Sequence, residues 1–126
     1  SKLRVLRNCV FRQKSPCIAG VEVLAGIIKT NTFMIDSNNV RLGKIKELQH
    51  ENRNIPQAIV GAQVAASFPE AVAGKSIHED QILYTDLPEQ DYRTYKELKH
   101  LLDQALKDLL KEIAEVKRKE KPLWGV

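Results

Sequence analysis

At 126 residues, 43% of them hydrophobic and 29% charged, the chain is one domain's worth and long enough to bury a core without disulfide or metal staples. It has no apolar run long enough to span a bilayer and no signal-peptide architecture, so it reads as a cytoplasmic protein with no membrane partner. The net charge of +4 favours an anionic partner only mildly. Cys9 and Cys17 are too few for a disulfide scaffold and lack zinc spacing, so both are expected as reduced thiols.

The first predicted element is a strand over Leu3–Arg12, with apolar residues on both parities (Leu3, Val5, Cys9, Phe11 and Leu6, Val10), as when both faces are covered. A turn at Gln13–Pro16 follows, because proline disfavours helix before it and cannot donate to a ladder. Cys17–Ile28 is the second strand, with Val21, Val23, Ala25 and Ile27 on one face and Gly26 marking a bend. The turn-prone run Asp36–Asn39 separates Phe33–Ile35 from a third strand, Val40–Leu48, whose parity switch at Gly43 reads as a β-bulge. Gln49–Asn54 is expected as a polar loop, and two short strands, Ile55–Val60 and Ala62–Phe68, as meeting at Gly61. Pro69–Asp80 is irregular, with Gly74 a turn, and Gln81–Thr85 closes a small antiparallel β-barrel over residues 1–87.

The pattern changes at Asp86-Leu87-Pro88-Glu89, a helix start with proline and acids where the helix dipole favours them. Within the extension over 88–121, residues 89–121 hold neither glycine nor proline, and Leu102, Leu106, Leu109, Ile113 and Val116 form a helical stripe that Leu98, Leu101, Ala105, Leu110 and Ala114 broaden. One unbroken helix of about 30 residues would be roughly 45 Å long, against a diameter of about 35 Å for a domain of this size. The tail therefore overhangs or breaks, and His100–Gln104 is the expected break, giving two C-terminal α-helices. In the closing segment, 122–126, Trp124 is either an anchor folded back or a link to further chain. The start at Ser1, almost directly in a strand, reads as a piece of something longer.

No catalytic grouping holds together. His50, His78 and His100 are isolated, His78-Glu79-Asp80 reads as a solvated turn, and neither a serine–glycine elbow nor a phosphate loop is present. A binding role is favoured over an enzymatic one.

Gly26-Ile27-Ile28, then Val40-x-x-Gly43-x-Ile45-x-x-Leu48-Gln49, then Ile55-x-x-Ala58-x-x-Gly61 resembles the second-domain-type β-barrel of translational GTPases. The order of barrel, Asp86-Leu87-Pro88-Glu89, amphipathic helices, Ile113–Lys119 and Pro122-x-Trp124-Gly125 resembles the C-terminal domain (domain IV) of archaeal and eukaryotic translation initiation factor 5B, homologous to bacterial initiation factor two. The likeness covers nearly the whole chain, and the helical tail is its more particular part.

The resemblance implies a module that binds the aminoacylated 3′ end of initiator methionyl-tRNA through the barrel and the C-terminal tail of initiation factor 1A through the helices, promoting ribosomal subunit joining. It implies no cofactor in this piece, with GTP and Mg in a separate N-terminal domain of a GTPase parent, and a monomeric piece. The same region is picked out by its residues. Gln49, His50, Asn52 and Arg53 on a flexible loop, beside a strand with Gly61, Gln63 and Val64, can grip an unstacked RNA end. Bacterial members carry a cysteine at the position aligned with Val64, so formyl-specific recognition is not expected here. For the partner tail, Leu101, Ala105, Leu106, Leu110, Ile113 and Ala114 are expected to line a groove with Lys107, Lys111 and Lys117 at its rim. A second reading is a protein-interaction adaptor in which the helices bind and the barrel only supports them. A third is a small barrel enzyme.

Overall fold

The computed structural model describes residues 1–126. Ten strands come first: β1 (Lys2–Arg12), β2 (Cys17–Ala25), β3 (Ile28–Lys29), β4 (Phe33–Asp36), β5 (Arg41–Lys44), β6 (Glu47–His50), β7 (Arg53–Ile55), β8 (Gln57–Ala58), β9 (Gln63–Phe68) and β10 (Ile82–Thr85). Helices α1 (Glu89–Glu97) and α2 (Gln104–Arg118) follow, with a 3₁₀ turn at Lys99–Leu101 between them. Eight strands form one antiparallel sheet in the order β5-β4-β10-β1-β2-β9-β6-β7, and β3 pairs separately with β8. The chain between β5 and β6 ties the curled sheet together. Ile45 N–H donates to Thr32 O at 2.9 Å, Asn31 N–H to Ile45 O at 2.7 Å, and Lys46 N–H to Ser67 O of β9 at 2.9 Å. The architecture is the expected one, mainly β with a helical tail.

The inside of the barrel follows the period of two that a pleated strand imposes. Cys17, Ala19, Val21 and Val23 of β2 all point inward, meeting Leu3 and Val5 of β1, Leu48 of β6, and Val64, Ala66 and Phe68 of β9 in one core. Burial pushes the Cys17 thiol up from its ordinary range, and both cysteines are free.

Four details depart from the sequence pattern. Gly26 takes φ +72°, a left-handed turn that ends β2. The inward set therefore does not continue to Ile27, which is half-exposed, and Ile28 is buried instead. The bulge at Gly43 is present, with Met34 opposite Gly43 and Ile35 opposite Arg41, but Val40–Leu48 is two strands rather than one. They separate because Ile45 and Lys46 turn to bond Thr32 and Ser67. The segments around Gly61 are shorter than expected, and Gly61 lies in a turn. Finally, β1 is not covered on both sides along its length: Leu3 and Val5 are buried, but Phe11 is 67% exposed.

A second core lies on the outside of the barrel. Ile35 of β4 and Tyr84 of β10 point outward against Leu109, Ile113, Ala114 and Val116 of α2, with Tyr92 of α1 and Trp124. The helical tail breaks between Glu97 and Gln104 without glycine or proline. Leu102 is extended, and the Asp103 carboxylate accepts from Leu106 N–H at 2.9 Å, an N-cap that restarts the helix. Trp124 folds back, its ring centroid 4.8 Å from that of Tyr92, and its carbonyl accepts from Arg118 Nε at 2.8 Å. Polar straps hold α2 down: Lys2 to Glu112 at 2.9 Å, Lys119 Nζ to Ser37 O at 2.8 Å, and Lys117 to Asp86.

Candidate nucleic-acid interface and helical groove

The barrel carries one groove where β1 and the β6–β7 hairpin face each other. In the β1–β2 ladder Val5 pairs with Val21 and Val10 with Ala19, so five steps on β1 span two on β2 and three residues are looped out. Asn8, with φ +56°, sits in this wide bulge. The bulge rests on Gly20, where any added Cβ would lie 2.7 Å from Cys9 Cβ. Opposite, the stretch expected as a flexible loop is a tight hairpin. His50 pairs with Arg53 and Gln49 with Asn54, and Glu51 and Asn52 form the two-residue turn with φ +52° and +64°. Positive φ at both central residues is the type I′ geometry that matches strand twist, and asparagine tolerates it well. Gln49 Nε2 donates to Asn54 Oδ1 at 3.0 Å and stiffens the hairpin further.

Between the bulge and the hairpin lies a groove of about 460 Å³. It brings together Gln49, His50, Asn52, Gln63 and Val64 of the expected tRNA-binding set. Gly61 is not among them: its N–H donates to Val23 O at 2.9 Å, in a turn away from the groove, with no atom within 4 Å of where a Cβ would be. Arg53 stands on the hairpin but does not line the groove; it is exposed. Leu6, Cys9, Phe11, Ile18 and Ala65, which sequence reasoning did not assign, supply the apolar wall and floor. The signal for them was the double parity of Leu3–Arg12, which is what a wide bulge produces when read as a straight strand.

The second groove, about 700 Å³, runs between the barrel rim and the helices, and thirteen of its nineteen lining residues are apolar, which suits an apolar ligand. Ala105, Leu106, Leu110 and Ile113 line it together with Ile27, Ile59, Val60 and Tyr95. Five of the residues expected at this groove do not line it. Leu101 is 71% exposed outside the groove, whereas Ala114, 1% exposed, is sealed in the outer core. Lys107 and Lys111 do not line it, and Lys117 is held by Asp86. Ile113 reaches the groove but is 2% exposed, so it is chiefly a core residue.

A curled antiparallel barrel with a helical tail buttressing its outer wall defines a β-barrel domain with a helical extension. The chain belongs to the elongation factor Tu domain 4 family, whose model matches residues 1–84. It is 42% identical to the probable translation initiation factor IF-2 of Methanosarcina mazei, over 98% of this chain and 21% of that protein. It is 40% identical to the corresponding factor of Methanopyrus kandleri, over 99% of this chain and 21% of that protein. The crystal structure of GDP-bound aIF5B from Aeropyrum pernix is similar with a TM-score of 0.87 and 38% identity, covering 94% of this chain and 20% of that one. The chain thus spans about a fifth of the length of the curated relatives it matches. Because these likenesses include the helical tail, the chain is a translation initiation factor domain of the IF-2/aIF5B type, as the sequence resemblance implied.

Proposed function

We propose that this domain holds the aminoacylated 3′ end of initiator methionyl-tRNA in the barrel groove, within a larger initiation factor whose nucleotide site lies in another domain, and so promotes subunit joining. The observation that carries the reading is the gathering of Gln49, His50, Asn52, Gln63 and Val64 around one groove of about 460 Å³. Its floor is apolar and its hairpin wall is polar, which suits a base or an aminoacyl group more than a phosphate. Phosphates belong outside, where Arg53 stands exposed on the hairpin. Val64 touches the groove but is 4% exposed and packs in the barrel core, so it is chiefly a core residue. That it is not the cysteine of bacterial members is in keeping with a methionyl group that is not formylated. Replacing Arg53 by alanine is expected to weaken methionyl-tRNA binding by about 1.5 kcal/mol, the worth of one charged hydrogen bond, and added salt is expected to weaken the wild type as well. Filter binding or fluorescence titration measures both. Wild-type affinity in Arg53→Ala places the RNA elsewhere and favours the adaptor reading.

The helical groove takes an acidic peptide with apolar anchors, such as the C-terminal tail of initiation factor 1A, a reading supported by its apolar lining and by exposed Lys29 at its edge. Leu110 is partly exposed in that groove. Leu110→Asp is expected to leave the fold intact by circular dichroism and to cost roughly 1–3 kcal/mol of peptide affinity in calorimetry, as for loss of one anchor. An unfolded variant, or unchanged affinity, would remove the groove from consideration.

A further inference from the structure

The groove has a second lip, formed by the end of the β1–β2 hairpin. Phe11 lines the groove and yet is 67% exposed, a large aromatic ring that the fold does not use for packing. The next residues, Arg12 and Lys14, are exposed, and neither enters an ion pair; Arg12 Nε donates only to Lys14 O, at 3.1 Å. The groove lining itself contains no lysine or arginine, and Glu51 is its one carboxylate. Charge is therefore sorted in space: apart from Glu51, apolar and polar uncharged groups lie inside, with free cations on the hairpin beside the ring.

We propose that the end of the β1–β2 hairpin is the second jaw of an RNA grip, in which Phe11 stacks on an unpaired base at the 3′ end while Arg12 and Lys14 contact the adjoining phosphates. An aromatic face beside unpaired cations is what single-stranded nucleic acid requires, because every base has a face to stack and every link a charge to neutralise. The wide bulge at Asn8 explains how the ring comes to stand there. By looping out three residues, an odd number, it moves the inward-facing parity of β1. Leu3 and Val5 face the core before it, Val10 packs against the core after it, and Phe11 is left on the outer face while the strand stays paired with β2. The inference rests on the RNA-end reading of the groove given above and names residues that reading left out.

Binding of methionyl-tRNA by the 126-residue chain tests it, with circular dichroism confirming that each exposed-site variant is folded. Phe11→Ala is expected to weaken binding about tenfold, the order of one base–aromatic stack, whereas Phe11→Trp retains the affinity. The double variant Arg12→Ser/Lys14→Ser is expected to reduce the slope of log K against log salt by roughly 1.4, two phosphates at about 0.7 each for a single strand. If Phe11→Ala binds as wild type while Arg53→Ala and Gln49→Ala weaken binding, the groove holds RNA without this jaw and the inference alone fails. If those two variants also bind as wild type, the RNA-end reading fails and takes the inference with it. A loss in Phe11→Ala with no change of salt slope in the double variant would mean that Arg12 and Lys14 contact no phosphate, and overturns the two-part grip.

Discussion

Ile113→Asp is expected to detach the helical tail from the barrel, costing about 4 kcal/mol or more, which is the range reserved for unpaired charges forced into a core. Ile113 is 2% exposed and packs in the outer core with Ile35, Tyr84, Leu109 and Trp124. Lys117 and Lys2, the cations that strap α2 to the barrel, are already committed to Asp86 and Glu112, so a new carboxylate gains neither as a partner without breaking a strap. A domain of this size is stable by only about 5–15 kcal/mol, so urea denaturation should show a large fall in midpoint or a separate early loss of helix. The contrast with Leu110→Asp is the informative part: the same substitution three residues earlier falls on a partly exposed side chain and should be tolerated. A shift of less than about 1 kcal/mol in Ile113→Asp would mean that the outer core does not hold the tail.

Trp124→Ala is expected to cost roughly 3–5 kcal/mol, as for other buried aromatic truncations. The ring is 7% exposed against Tyr92, and the chain around it is built to keep it there. Gly125 has φ +72°, and a Cβ at that position would come within 2.6 Å of the Tyr92 ring, so the backbone passes the ring at contact distance. Its N–H donates to Glu89 Oε1 at 3.2 Å, pinning the last residues to the first turn of α1. Removing the indole leaves α1, a nine-residue helix too short to persist by propensity alone, with Tyr92 half-uncovered. Thermal melting followed by far-ultraviolet circular dichroism should show α1 lost first. A cost below about 1 kcal/mol would instead identify Trp124 as an idle cover.

What the sequence made legible follows from what is local. The inward face of Val21 and Val23, the glycine bulge at position 43, the Asp86–Glu89 helix start and the stripe through Leu109, Ile113 and Val116 all act within a few residues, and all are present, although the inward face stops before Ala25 and Ile27. The break in the tail was legible only as a length problem, because its cause is a single capping carboxylate, Asp103, rather than a breaker. The groove was half legible. Its hairpin wall could be placed from polar residues, although Glu51-Asn52 lacks the glycine that usually announces a two-residue turn. Its other wall depends on a register slip between β1 and β2, and register is a property of two strands that neither segment displays alone. The same limit misplaced Ala114: a helical stripe shows which residues share a face, not how far round the barrel wall reaches to bury them.

The wall formed by β4 and β10 is shared between two cores that do not mix. Met34 and Leu83 point inward, and their neighbours Ile35 and Tyr84 point outward under α2. Because alternate residues of a strand face opposite ways, the helical tail is a module laid over a finished barrel, touching its inside packing nowhere. Such a layout lets a lineage gain, lose or retune the buttress by changing a few outward residues, without renegotiating the interior. It also gives the chain two separately mutable compartments: substitutions in the barrel interior away from β4 and β10 should add to those beneath the tail, as distant sites without shared partners do.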